Sequence, residues 1–282
     1  MKQVYPSILI FFFISLYTGA SWAAPSWHWE DRFSNAEQQG LINWVTHAED
    51  GMRNLYGPLP FNYRAYFHRS NSGSGPSPWA HTDKSYGKAV HFHVNTANSW
   101  NKFMRDWTAP HELSHLMFPY LGENSIWFAE GLASYLQYQI MYANNTISWK
   151  KGTDKLEERF NRARKYRNYD QISIVELSKI VRQTGAYVRL YWGGAAYFMN
   201  ADYRLAKEKN MRLSTVIRKY LDCCIQQRYM NSKSMIKTFD KLSNSTIFSE
   251  VYEETVKKDG FPKTQKALIW LKKNPPELIR NL

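Results

Sequence analysis

Residues 108–137 read TAPHELSHLMFPYLGENSIWFAEGLASYLQ and place two histidines and three glutamates in an otherwise apolar, aromatic-rich stretch. Such groups are costly to bury unless they are paired or hold a metal. The spacing favours a metal. His111 and His115 stand four apart in HELSH, so on a helix their imidazoles share one face, one turn apart. That arrangement suits two corners of a tetrahedral zinc ion. Glu112 is offset around the helix, where it reaches a metal-held water without being a ligand.

A catalytic zinc site needs a third protein ligand and one open position. Thr108 is expected to cap the first helix, which tolerates Pro110 in its first turn and stops before Pro119 and Gly122. Ser125 is expected to cap a second helix through WFAEGLASYLQYQIMY, apolar nearly all round and therefore buried. That helix carries Glu130, fifteen positions after His115, enough for a turn and an antiparallel return. Glu123 is the rival, but it falls in the connecting loop. Gly131 permits close approach between helices. A pair of core histidines bonded to backbone or to Glu112 is the bland alternative, and it leaves Glu130 charged and alone in an apolar helix.

Around this stretch the 282-residue chain is 44% hydrophobic and 16% aromatic, which supplies a sizeable core and excludes global disorder. Residues 1–23 have a lysine near the start, an apolar run from Ile8 to Tyr17 and small residues at Ser21 and Ala23, the pattern of a cleaved signal peptide. The run is too short for a span, and no later segment reads as a transmembrane helix. The mature protein is therefore expected in the periplasm or outside the cell. The formal charge of +13 is dispersed along solvated helix faces, as in ERFNRARKYRNYD. It points to an anionic envelope surface more than to nucleic acid, which is not expected as a partner. Cys223 and Cys224 are adjacent, too close for an unstrained disulfide, and are expected to be buried thiols.

Residues 26–57 read as one helix, closed by Gly57 and two prolines. FNYRAYFH (61–68) alternates like a strand, SNSGSGPSPW (70–79) is a loop by composition, and KAVHFHVN (88–95) is a second strand. Its period of two puts Val90, Phe92 and Val94 on one face and His91 and His93 on the other. From residue 98 onward the pattern is mainly helical, so the fold class is α+β.

HELSH followed by WFAEGLASYL resembles the gluzincin metallopeptidases, the peptidase MA-like group related to the M1 and M61 aminopeptidase families. The resemblance covers about residues 88–205. It implies a zincin, thermolysin-like catalytic domain over 24–205, with a small mixed sheet followed by helices. A helical extension over 206–282 is expected to pack on that domain. It implies one zinc ion per chain held by His111, His115 and Glu130, with Glu112 as general base. LYWGGAAYFMNADYRL (190–205) is similar to the family's tyrosine segment, which gives Tyr191 the role of oxyanion donor. KAVHFHVN takes the place of the family's cleft-edge strand, which would set His91 and His93 as substrate contacts.

Two departures have consequences. The M1 enzymes carry a G-x-M-E-N type segment whose glutamate grips a free amino terminus, and GKAVHFHVN has no acid, so endopeptidase action is at least as well supported. Family members also orient a zinc histidine through an acid on the Glu130 helix, where this chain offers Ser134 and Gln137. The expected function is an exported zinc metallopeptidase acting on peptides or proteins. The alternative is a non-catalytic zinc-fold envelope protein that binds or scaffolds through its basic surface.

Overall fold

The computed structural model describes residues 25–279 apart from 74, 227 and 228. The signal peptide expected over 1–23 lies outside the described residues. The chain opens with β1 (Ser26–Trp29), α1 (Asn35–Tyr56), β2 (Arg64–Arg69), β3 (Trp79–Asp83) and β4 (Ala89–Val94). These strands form one four-stranded sheet in the order β1-β2-β4-β3, with β1, β2 and β4 parallel and β3 antiparallel to β4.

Two expectations are corrected here. Residues 26–29 form a strand and not the start of a helix. Ser34 starts the helix later, accepting from the Glu37 amide while the Glu37 carboxylate accepts from the Ser34 amide at 2.8 Å. This reciprocal cap satisfies two donors that would otherwise be orphaned at the helix start. Residues 79–83 form a strand that the sequence reading did not assign, with only Trp79 inside the expected loop of 70–79, because the prolines and glycines end just before it. The period of two then holds: Ala65, Phe67, Val90 and Phe92 are fully buried on the inner face. Trp44 of α1 meets Phe92 edge-on at 4.9 Å, which seats the helix under the sheet.

The rest is helical. α2 (Trp100–Met104) and α3 (Thr108–His115) lead to a turn at Gly122 and then to α4 (Ile126–Ala143) and α5 (Trp149–Arg164). α6 (Ile174–Thr184), α7 (Tyr187–Lys209), α8 (Leu213–Cys224), α9 (Ser232–Ser243), α10 (Ile247–Val251) and α11 (Gln265–Lys273) follow. A π-helical turn over Tyr252–Val256 continues α10.

The central crossing is α4 against α7. A Cβ on Gly131 would lie 2.5 Å from the Gly194 Cα, and one on Gly194 would lie 2.0 Å from the Trp127 carbonyl oxygen. Only glycine lets these backbones meet. Gly131 therefore serves the α4–α7 contact, not the approach of α4 to α3 for which the sequence offered it. Around the crossing Phe128 packs edge-to-face on Phe198 at 4.8 Å and Trp127 on Tyr197 at 5.3 Å. Burying each such ring contributes about 1.5–3 kcal/mol.

Downstream helices dock through buried polar contacts. Trp149 donates to the Leu271 carbonyl at 2.8 Å, and the Ser232 amide donates to the Ser125 hydroxyl at 2.9 Å. Ser125 is thus committed to Ser232 and makes no side-chain cap for α4. Cys223 and Cys224 are joined by a disulfide, correcting the expectation of buried thiols. They sit at the end of α8, with Cys223 exposed and Cys224 half-buried against the core.

Candidate metal centre and cleft

α3 and α4 bring together the three side chains that the sequence singled out. The His111 Nε2 lies 3.1 Å from the Glu130 Oε2, and the His115 Nε2 lies 3.5 Å from the Glu130 Oε1. One ligand atom from each of His111, His115 and Glu130 falls within 4.8 Å of the others. Two imidazole nitrogens and one carboxylate, converging from two fixed helices, match the donor set of a three-ligand zinc site. Glu123 is excluded as a ligand: it accepts from the Tyr120 hydroxyl at 2.9 Å and pairs with Arg182 at 2.8 Å.

The tautomer of His111 is fixed from behind. Its Nδ1 lies 3.0 Å from the Gln137 Oε1, so that nitrogen donates its proton to the amide oxygen, and Nε2 is the nitrogen turned toward Glu130. Gln137 stands two turns beyond Glu130 on the same helix, where an orienting acid was sought. Trp107 closes the other side, edge-on to His111 at 5.5 Å. The start of α3 is held by Asp106, whose carboxylate accepts from the Thr108 amide at 2.8 Å. Thr108 is the first helical residue and does not cap.

Electrostatics follow from burial. Burial pushes the Glu112 carboxyl up, against the lowering pull of the His111 and His115 imidazoles. Burial also works to raise Glu130, but the same imidazoles outweigh it and hold that carboxyl low. Burial disfavours charge on His111, yet the hydrogen bond to Glu130 raises its pKa overall.

Tyr191 lies in the first turns of α7, half-buried, and lines the same cleft as Glu130. Burial, followed by the charges of Glu130 and Glu112, keeps the phenol protonated. Gly194 is one turn further on, so the crossing at Gly131 also fixes where Tyr191 stands relative to Glu130.

The cluster opens into a cleft of about 480 Å³ lined by His111, Glu112, His115, Glu130 and Tyr191. β3 forms its other wall through Trp79, Ala80, His81 and Thr82. β4 is therefore an interior strand and not the edge along the cleft; β3 takes that place, with a strand partner on one side only. His91 and His93 project from the sheet's outer face. They join a run of rings in which Tyr66 stacks on His91 at 4.5 Å, His68 on His93 at 4.5 Å and His81 on His91 at 4.8 Å. Neither His91 nor His93 lines the cleft.

Sequence reading missed Lys84, which enters the cleft from the end of β3. The alternation in WAHTD was the available signal for that strand, and it was masked by the preceding SNSGSGPSP. Among the described residues, no helix is long and apolar enough to cross a membrane.

A two-histidine, one-glutamate cluster on paired helices, roofed by a small mixed sheet, defines a metallopeptidase-like architecture. Solved structures resemble the fold that carries it. An aminopeptidase N family protein from Idiomarina loihiensis superposes with a TM-score of 0.64 at 15% identity, over 87% of this chain and 46% of that one. A variant of the M1 zinc metallopeptidase from Deinococcus radiodurans, bound to a Tyr-Ser-Ala substrate, gives 0.53 at 12% identity over 83% and 47%. The chain is thus similar in fold to these M1 peptidases and spans about half their length. No family model matches it, and no curated protein does.

Proposed function

We propose that this chain is an exported, zinc-dependent peptidase that hydrolyses peptide bonds with Glu112 as general base. One observation carries the reading: Glu130 meets both imidazoles of HELSH, while Glu112 lies buried in the same cleft outside the ligand set. A purely structural site has no use for that extra carboxylate. A zinc ion held by His111, His115 and Glu130 would supply Lewis acidity toward water and the scissile carbonyl. Glu112 takes the proton from the attacking water and delivers it to the leaving amine. The Tyr191 hydroxyl donates to the carbonyl oxygen as negative charge builds on it. β3 offers the edge on which an extended peptide adds as a strand. Export rests on the signal-peptide pattern of residues 1–23.

The test is metal content together with peptide cleavage by the purified chain. Near-stoichiometric zinc in the wild type and in Glu112→Gln, little in Glu130→Ala, and cleavage by the wild type alone are expected. Equal zinc in Glu130→Ala, or undiminished cleavage by Glu112→Gln, would end the proposal.

A further inference from the structure

The metal cleft does not stand alone. Thr82, Lys84, Pro119 and Tyr120 line both it and an adjoining cavity of about 680 Å³. The second cavity continues between the β3–β4 turn and the end of α8, past Tyr86 and Ile225. A peptide laid along β3 across the metal cluster would run on into this space on one flank of its scissile bond.

Charge at the junction is one-sided. The metal cleft has only two carboxylates among the described residues, Glu112 and Glu130, and both are already engaged in the chemistry. Asp83 does not join them. It lines the adjoining cavity instead, where its carboxylate already accepts from the Ser85 amide at 2.8 Å. Lys88 is also spoken for, donating to the Leu116 carbonyl at 2.5 Å with its ammonium 4.9 Å from the centre of the Phe61 ring. Lys84 differs from all of these. Its ammonium interacts through space with Glu130 and Glu112 yet makes no hydrogen bond or ion pair with any described residue. Burial depresses its pKa to about 7, more strongly than repulsion from Lys88 does and despite the attraction of the two glutamates. A half-buried ammonium without a partner favours an anion beside it.

We infer that Lys84 is the specificity-determining cation of the cleft and takes a substrate carboxylate on the flank that enters the adjoining cavity. This inference rests on the peptidase reading above and narrows it. The cleft then recognises the opposite charge from the one that a free-amine-binding carboxylate would recognise. Its substrates are peptides with a carboxylate near the scissile bond, either an acidic side chain or the chain's own C-terminus.

The experiment uses N-acetylated peptides in matched pairs: Glu against Gln at each flanking position, and a free C-terminal acid against its amide. Binding is measured by calorimetry on zinc-loaded Glu112→Gln protein, and kcat/KM on the wild type. One carboxylate position is expected to bring a gain of ~10- to 100-fold, the range of a charge-assisted hydrogen bond. The pair that shows it tells a side chain from a C-terminus. The gain should vanish in Lys84→Met, return in Lys84→Arg, and turn into a penalty for the carboxylate member of the pair in Lys84→Glu. A loss of general folding would lower all peptides together and leave their ratios unchanged.

Cleavage without carboxylate preference, or a preference that survives in Lys84→Met, overturns the role of Lys84 and leaves the peptidase reading intact. Charge-selective binding that depends on Lys84, with no cleavage by the wild type, sinks the peptidase reading and keeps Lys84 as a carboxylate site. A protein that neither binds nor cleaves any of the set overturns both.

Discussion

The chain holds eight histidines, and two groups of them teach opposite lessons. His111 and His115 are four apart on a helix, stand perpendicular at 4.9 Å between ring centres, and turn their Nε2 atoms toward one carboxylate. His91 and His93 are two apart on a strand and lie nearly parallel to their neighbours, as His68 does on His93 with 11° between planes. Parallel rings share faces, so their nitrogens point along the sheet surface. Perpendicular rings around a carboxylate direct lone pairs to one point. Among the described residues, only His111, His115 and Glu130 converge as metal ligands. Local backbone period thus decides whether a histidine pair becomes a site or a stack.

The strongest way to break that contrast is to remove the proton acceptor beside the helical pair. Glu112→Gln should lower kcat/KM by about 10²–10⁴ and leave zinc content unchanged, since the carboxylate handles a proton and holds no metal. If zinc falls in parallel with activity, Glu112 is a ligand and the three-donor assignment is wrong. Next in size is Gly131→Ala. Its new Cβ would meet backbone at 2.5 Å, which no side-chain rotation relieves. A loss of about 1–3 kcal/mol or more is expected, read as an earlier denaturant midpoint. Tyr191 should shift away from Glu130, so activity falls even where the protein remains folded.

Gln137→Leu sharpens the contrast from behind the site. It removes the acceptor that fixes the His111 tautomer and should weaken zinc affinity by about 10- to 100-fold, measured by competition with a chelator. An equally tight site would mean that helix geometry alone orients the ring. The converse substitution is His93→Ala in the sheet. Zinc stoichiometry should stay the same, and stability should drop by about 0.5–1.5 kcal/mol through the lost ring contacts. A fall in bound zinc would show that the stacked face holds metal after all.

Much of the helical half was legible in the sequence because its chemistry and its period agree. HELSH and Glu130 on the following helix each follow from a local rule, whereas Gly131 serves a helix pair that only the tertiary structure reports. The sheet was less legible. β1 is only four residues long and runs directly toward a capped helix, so a helical period reads through it. β3 is five residues behind a loop of glycine, serine and proline, and its edge position depends on pairing with β4 that no local signal reports. The misplaced edge then carried the substrate role to His91 and His93 and hid Lys84. Asp106 and Ser125 show the same limit at smaller scale. The Asp106 side chain serves an amide two residues on, a local turn that displaces Thr108 from the cap, and Ser125 serves a serine on a distant helix, a contact set by tertiary structure.

The smallest effect separates the two histidine groups by proton. Burial lowers the pKa of His81, His91 and His93 from the ordinary value near 6.5, and repulsion from neighbouring imidazoles adds to it. Asp83, Glu30 and Asp31 oppose the shift without reversing it. In the unfolded chain these groups take up protons at a higher pH than in the folded sheet. The unfolded state therefore binds more protons as the solution is acidified, and stability falls. Their contribution is complete above about pH 6.5 and is lost below it as the pH drops through the lowered folded values. Denaturant midpoints at pH 7.5 and pH 5 should differ for the wild type, and the gap should narrow in His91→Phe, which keeps a ring in the stack but cannot take a proton. Metal-loaded protein is the form to use, so that His111 and His115 are held by the ion and their titration does not enter. An unchanged gap in His91→Phe would assign the acid sensitivity to other groups and leave the stacked face electrostatically silent.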